Sequence, residues 1–109
     1  MFNFFRQPAN HLSQSDAQKM LTEDPSIKVI DVRTVEEYRE GHIANSINLP
    51  LDQLESLASR KLPKKDAKMF IICYSGSRSS AATRLLAAMG YSQVYDIGGI
   101  AMWRYGVVR

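Results

Sequence analysis

The 109-residue sequence predicts a single α/β domain, an open parallel sheet covered by helices on both faces. Three observations carry that prediction. Short apolar, β-branched runs alternate along the chain with segments whose apolar residues recur at helical spacing. One of these runs, 69–72, has no polar residue in it, as a central strand buried on both faces requires. It leads through Cys73 and a short turn straight into a helix-patterned segment, the junction expected of a βαβ unit.

The elements follow in order. Residues 11–22 read as a first helix, with Ser13 as N-cap, Asp16 three places on, and Ala17, Met20 and Leu21 on one face. Residues 27–30 read as a short strand that stops at Asp31-Val32-Arg33. Thr34 and Glu37 have the spacing of a capping box and open a helix of about two turns that ends at Gly41. Residues 43–49 look like a second strand closed by Pro50, and 51–58 a third helix with Leu51, Leu54, Leu57 and Ala58 along one side. Strand 69–73 comes after a basic loop. Helix 78–89 then carries Ala81, Ala82, Leu85, Leu86 and Met89 as one stripe, with Thr83 and Arg84 off it, and stops at Gly90. Residues 93–96 read as a last strand, and Gly98-Gly99 turns the chain into a segment with Met102 and Trp103. Residues 11–109 are the domain; residues 1–10 are an N-terminal extension whose three phenylalanines are expected to pack back on it.

Composition narrows the function. Apolar residues make up 45% and charged residues 23%, as in an ordinary soluble globular domain. The net charge of +3 suits small anionic ligands weakly, and its densest part, Arg60 to Lys68, lacks the interleaved aromatics of a nucleic-acid surface. No run approaches the length of a membrane span, and the N-terminus lacks a signal-peptide core. The single cysteine excludes an internal disulfide and a dithiol cycle within the chain. It fits a reducing compartment, so a cytoplasmic setting is expected. The two histidines, His11 and His42, have no metal-ligand spacing; neither a metal nor another cofactor is expected.

Chemistry concentrates in Cys73-Tyr74-Ser75-Gly76-Ser77-Arg78-Ser79. At a strand-to-helix turn the free N–H groups of the helix start and its macrodipole favour negative charge, on the sulfur or on an anion beside it. A lone cysteine ending an apolar strand is often only a small buried hydrophobe; the Gly-Ser-Arg-Ser that follows argues for a reactive one. Lowering a free thiol's pKa from about 8.5 to about 6.5 ionises it some twenty-fold more at neutral pH, but its nucleophilicity falls about eight-fold. One preorganised N–H donor is worth about 2.7–4 kcal/mol where charge develops, so the ring of donors is the larger effect. Tyr74, Ser75, Gly76, Ser77, Arg78 and Ser79 are the candidate donors and substrate contacts, mostly through main chain. Arg78 can fork onto an anionic donor or brace the loop, and a shared role is expected, with substrate contact slightly ahead. Asp31 and Arg33 read as a structural ion pair near the site, His42 as ordering the turn after Gly41, and Tyr38 and Trp103 as core or pocket-wall aromatics.

From about His11 to Tyr105 the chain resembles the rhodanese-like domain family. The resemblance rests on a set of features in order: Val29-Ile30-Asp31-Val32-Arg33, Glu37-Tyr38 with Gly41-His42-Ile43, Ile47-Asn48-Leu49-Pro50, the cysteine loop, and Gly98-Gly99 with Trp103. It implies a central five-stranded parallel sheet in a stand-alone single domain. It also implies a sulfurtransferase of thiosulfate type, which moves a sulfane sulfur from thiosulfate or a persulfide donor to a thiol, protein or cyanide acceptor through a persulfide on Cys73. The four residues between Cys73 and Arg78 match the sulfur-transfer form of the loop, one shorter than in the related Cdc25-like phosphatases. Alternatives are a Cdc25-like phosphatase or arsenate reductase and a non-catalytic rhodanese-fold binding module.

Overall fold

The computed structural model describes residues 10–109; the phenylalanines of the extension lie outside them. Four helices, α1 (Gln14–Glu23), α2 (Val35–Glu40), α3 (Leu51–Lys61) and α4 (Ser77–Ala88), alternate with strands β1 (Lys28–Asp31), β2 (Ile47–Asn48), β3 (Met69–Cys73) and β4 (Val94–Gly99). The sheet order is β2-β1-β3-β4 with every neighbouring pair parallel. The chain steps from β1 outward to β2, then crosses back over β1 to β3. That reversal places a topological switch point between β1 and β3, where ligand sites of open parallel sheets form beyond the carboxyl ends. Asp31 and Cys73 are the last residues of those two strands.

All five residues of β3 are buried, and they alternate between two cores. Met69, Ile71 and Cys73 face the α3 and α4 side, with Ile30, Leu54, Ala82 and Leu86. Phe70 and Ile72 face the α1 side, with Ala17, Val29 and Ile97, against which Trp103 also packs. The period-2 alternation of a strand thus accounts for the uninterrupted apolar run. Deleting a side chain such as Ile71, which is fully buried, would cost about 2–5 kcal/mol.

The structure corrects the five-stranded expectation: the described residues form a four-stranded sheet. At the β4 edge, where a fifth strand would add, His11 makes one parallel bridge to Asp96. Leu12 N–H donates to the Asp96 carbonyl at 3.0 Å, and Asp96 N–H to the Asn10 carbonyl at 2.7 Å. Ser13 then caps α1, its hydroxyl accepting the Asp16 N–H, so the chain leaves the edge after that bridge. The strand read over 43–49 also shortens to Ile47–Asn48. Asn45 has φ of +67°, and Ser46 N–H closes a turn onto the Ile43 carbonyl, while His42 pairs antiparallel with Val108 instead. Thr83, read as lying off the α4 stripe, is buried. Its hydroxyl donates to the Ser79 carbonyl at 2.7 Å, which satisfies the polar atom and lets the methyl pack.

Candidate functional site

Three local devices shape the turn after β3. Gly76, at φ +118° and ψ −20°, is the N-cap of α4, a conformation that side chains with a Cβ rarely adopt. No side chain caps the first turn of this 12-residue helix, so its N–H groups are not taken up by a capping residue. The turn doubles back far enough that Gly76 N–H donates to Cys73 Sγ at 3.0 Å. Ser79 Oγ lies 3.4 Å from the same sulfur and has the Gly76 carbonyl at 3.0 Å and the Gly98 carbonyl at 3.3 Å. Its one proton can serve a carbonyl while Cys73 carries its own, or turn to a sulfur that has lost it.

The loop is pinned from the β4 side. A bulge between Ile71 and Cys73 brings Gly99 opposite Cys73. A Cβ on Gly99 would lie 2.1 Å from the Tyr74 carbonyl oxygen and 2.7 Å from Ser75 Cα, so only glycine lets the cysteine loop rest on the strand. Ala101 N–H completes the clamp by donating to the Tyr74 carbonyl at 3.1 Å. From beneath, the Gln14 amide donates to the Ile97 and Gly99 carbonyls. Cys73 is 1% exposed, at the floor of the turn, whereas Tyr74, Ser75 and Ser77 are exposed around it.

Two ion pairs stand beside the loop. Arg33 Nε and Nη2 donate to the Asp31 carboxylate, and its terminal nitrogens also reach the Glu37 and Gly41 carbonyls. Both side chains are almost fully buried, at 5% and 0% exposed. Asn48 bonds the Asp31 and Arg33 carbonyls, tying β2 to the same corner. Arg78 gives Nη1 and Nη2 to the two oxygens of Glu37 at 2.7 and 2.9 Å, a bidentate fork across 41 residues of sequence. The Arg78 bonds, reinforced by Thr34, hold the Glu37 carboxyl down at about 2, and Glu37 in turn raises Arg78 above its ordinary value.

The candidate loop residues are therefore together, but their parts differ. Gly76 and Ser79 touch the sulfur, Tyr74 anchors through its carbonyl, Ser75 and Ser77 face solvent, and Arg78 is turned onto Glu37. Asp31 and Arg33 bond each other and make no hydrogen bond to the Cys73 sulfur. His42 stacks on Tyr38 with centroids 3.7 Å apart, and its Nδ1 lies 2.7 Å from the Tyr38 carbonyl. No group of three or more potential metal ligands occurs among the described residues. Sequence reasoning missed two positions. Glu37 was legible as a cap and as part of a family feature but not as the partner of Arg78, which is distant in sequence, and Gly99 as a turn glycine in a doublet but not as the seat of the cysteine loop.

Two pockets flank the loop. One, of about 330 Å³, is lined by Val32, Thr34, Leu51, Asp52 and Arg78. The other, of about 410 Å³, runs from Arg33, Glu37 and Glu40 to Tyr74, Ile100 and Trp103. The site thus offers a sulfur held by a main-chain hydrogen at a helix start without a capping side chain, with two ion pairs beside it.

Comparison with known proteins adds an independent finding. The profile of the rhodanese-like domain matches residues 13–105. YrkF of Bacillus subtilis, named as a candidate sulfur carrier protein, is 30% identical over 105 residues, covering 87% of this chain and 56% of that protein. The chain thus spans little more than half the length of that relative. Thiosulfate sulfurtransferase PspE of Escherichia coli is 34% identical over 71 residues, 65% of this chain and 68% of its own length. Among solved structures, a rhodanese-related protein from Thermoplasma volcanium superposes with a TM-score of 0.77 at 34% identity, covering 91% of this chain and 97% of that one.

Proposed function

The chain belongs to the rhodanese-like domain family, and on that premise we propose that it is a sulfurtransferase whose Cys73 carries the transferred sulfur as a persulfide. The observation that supports this most is the Gly76 N–H on Cys73 Sγ at 3.0 Å, at the start of a helix with no capping side chain. Negative charge at that point is stabilised by fixed dipoles that need no reorganisation. With thiosulfate, the Cys73 thiolate attacks the outer sulfur. The S–S bond breaks, sulfite leaves with its electron pair, and the charge that stays moves onto the added sulfur. An acceptor thiolate or cyanide then attacks that outer sulfur and returns Cys73 as thiolate. Ser79 can direct its proton to the sulfur in each charged state.

Burial supports sulfur over phosphorus as the atom attacked. At 1% exposure the floor of the loop suits a slender terminal sulfur better than a phosphorus screened by oxygens. The short loop and the engagement of Arg78 by Glu37 also disfavour a phosphatase, which needs a free guanidinium on its phosphate. A non-catalytic binding module is disfavoured by the presence of the cysteine in its loop. Acceptors are a small thiol, a protein thiol or cyanide. The test is thiocyanate formation from thiosulfate and cyanide, set against aryl phosphate hydrolysis. The wild type should form thiocyanate and the folded Cys73→Ser protein none; phosphate release without thiocyanate would reverse the assignment.

A further inference from the structure

Cys73 closes the carboxyl end of β3, and the basic loop lies at the other end of the sheet, before Met69. There the Lys28 N–H donates to the Lys68 carbonyl at 3.1 Å. Lys28 and Lys64 line one groove with Lys68 and a second with Lys61, so four ammonium groups border one continuous surface, and no carboxylate lines either groove. Lys28, Lys61 and Lys64 are exposed and Lys68 is half-buried. The segments that build this end are residues 23–28, 43–47 and 60–69. With Arg60 and Lys65 they hold six bases, against three carboxylates, Glu23, Asp24 and Asp66. Arg60 and Lys61 stand in the last turn of α3 and partly answer its negative end. Lys65 is engaged, its Nζ donating to the Met89 carbonyl at 2.6 Å and lying over the Tyr91 ring. Asp24 is taken up by Ser26, whose N–H and hydroxyl it accepts. The four groove lysines are in no ion pair among the described residues.

The chain enters the described fold from that same end. His11 pairs parallel with Asp96, and the Asn10 carbonyl accepts the Asp96 N–H, so the chain comes to the β4 edge from the side of the β4 start. That start is fastened to the basic loop: Ser92 N–H donates to the Lys65 carbonyl and the Gln93 amide to the Asp66 carbonyl. Phe2, Phe4, Phe5 and Arg6 precede Asn10 in sequence. The stretch from Phe5 to Asn10 can span up to about 18 Å, more than the roughly 10 Å from Asp96 back to Gln93. Three phenylalanines and one more base are therefore within reach of the lysines.

An apolar segment beside a polybasic face is the pair of signals that holds a protein on an anionic bilayer surface. The rings enter the headgroup boundary while the ammonium groups stay among the headgroups. Lysine suits this, as a strongly hydrated point charge on a flexible stem that follows diffuse charge. An acidic protein would match the charge and leave the rings without a use. We propose that the amino end of the sheet is a membrane-docking face, with Lys28, Lys61, Lys64 and Lys68 on anionic lipid headgroups and Phe2, Phe4 and Phe5 in the bilayer boundary. β3 runs from Met69 at this face to Cys73 at the other, about 13 Å away, so the docked protein keeps its cysteine loop turned away from the bilayer.

The experiment measures sedimentation of the full chain with vesicles of phosphatidylcholine alone or mixed with phosphatidylglycerol. The wild type should bind the anionic vesicles at least about a hundredfold more tightly than the neutral ones at about 0.1 M salt, and lose most of that advantage at about 1 M. Lys61→Ala, Lys64→Ala and Lys68→Ala together should weaken binding about a hundredfold, at about fivefold for each lysine, with thiocyanate formation unchanged. Lys19→Ala, Arg39→Ala and Arg104→Ala together remove the same charge from other parts of the surface and should cost less than about tenfold. Phe2→Ser, Phe4→Ser and Phe5→Ser together should cost at least about tenfold. Equal affinity for the two kinds of vesicle overturns the proposal, whether or not any variant folds. An equal loss in the two charge variants overturns it as well, because net charge and not this face would then be acting. Unchanged binding in the phenylalanine variant overturns the membrane assignment, the result expected if the rings pack back on the domain.

Discussion

Helices α2 and α4 begin at the ends of two adjacent parallel strands, β1 and β3, yet their first turns are completed by different means. In α2 the Thr34 hydroxyl accepts the Glu37 N–H at 3.2 Å, and the Glu37 carboxylate accepts the Thr34 N–H at 2.9 Å. In α4 the cap is a glycine with nothing to offer, and the sulfur of Cys73 takes the Gly76 N–H. One start is finished by its own residues; the other is left to an atom that can gain charge. The Arg78–Glu37 fork joins the two, because the third residue of α2 holds the second residue of α4.

Gly99→Ala should disturb the α4 start most. The new Cβ would fall 2.1 Å from the Tyr74 carbonyl oxygen, and because that neighbour is main chain, the loop or β4 must shift. Stability should drop by about 1–3 kcal/mol, and sulfur transfer by about a hundredfold, as for a misplacement near 1 Å. Urea unfolding and thiocyanate formation measure the two; full activity would mean that the clamp does not position the cysteine. Gly76→Ala sharpens the contrast, since a Cβ there meets nothing within 4 Å and the penalty is the +118° φ alone. It should cost about 1 kcal/mol or somewhat more, with a larger loss of transfer than of stability.

At the other helix start, Thr34→Ala should cost about 1 kcal/mol, read as a lower urea midpoint at unchanged slope. The smallest effect is electrostatic. With its carboxyl lowered from 4.5 to about 2, Glu37 contributes stability that is fully present above pH 4.5 and is lost as pH falls through 2. The whole shift would correspond to about 3 kcal/mol. Glu37 and Arg78 are 30% and 34% exposed, however, and solvent screening brings the expected contribution to about 1 kcal/mol. The stability gap between wild type and Glu37→Gln should therefore be about 1 kcal/mol at pH 6 and close near pH 2; a gap that persists in acid would assign it to packing.

What was legible in the sequence was local. The capping residues Ser13 and Thr34, the buried run ending in Cys73 and the Gly76 turn are each set by neighbours within a few positions, and the structure has them there. What was not legible depends on pairing across the chain. Apolar residues at 43 and 47–49 look like one strand until Asn45 turns out to hold a positive φ. Among the described residues, the fifth strand drawn from the family resemblance is not formed, and the β4 edge carries the His11–Asp96 bridge before the Ser13 cap draws the chain off it. Arg78 reads as contacting substrate, bracing the loop or both, and only the fold carries Glu37 to it. Nothing in the spacing of either residue announces that pair.

The most direct measurement is the amide spectrum of ¹⁵N-labelled protein before and after one sulfur is loaded on Cys73, with loading verified by intact mass. The account predicts that the amides of Gly76, Ser77, Arg78 and Ser79 move together as charge arrives on the outer sulfur, while those of Thr34 and Glu37 stay where they were. A verified persulfide that leaves the first turn of α4 unmoved would contradict the claim that these main-chain hydrogens hold the transferred sulfur.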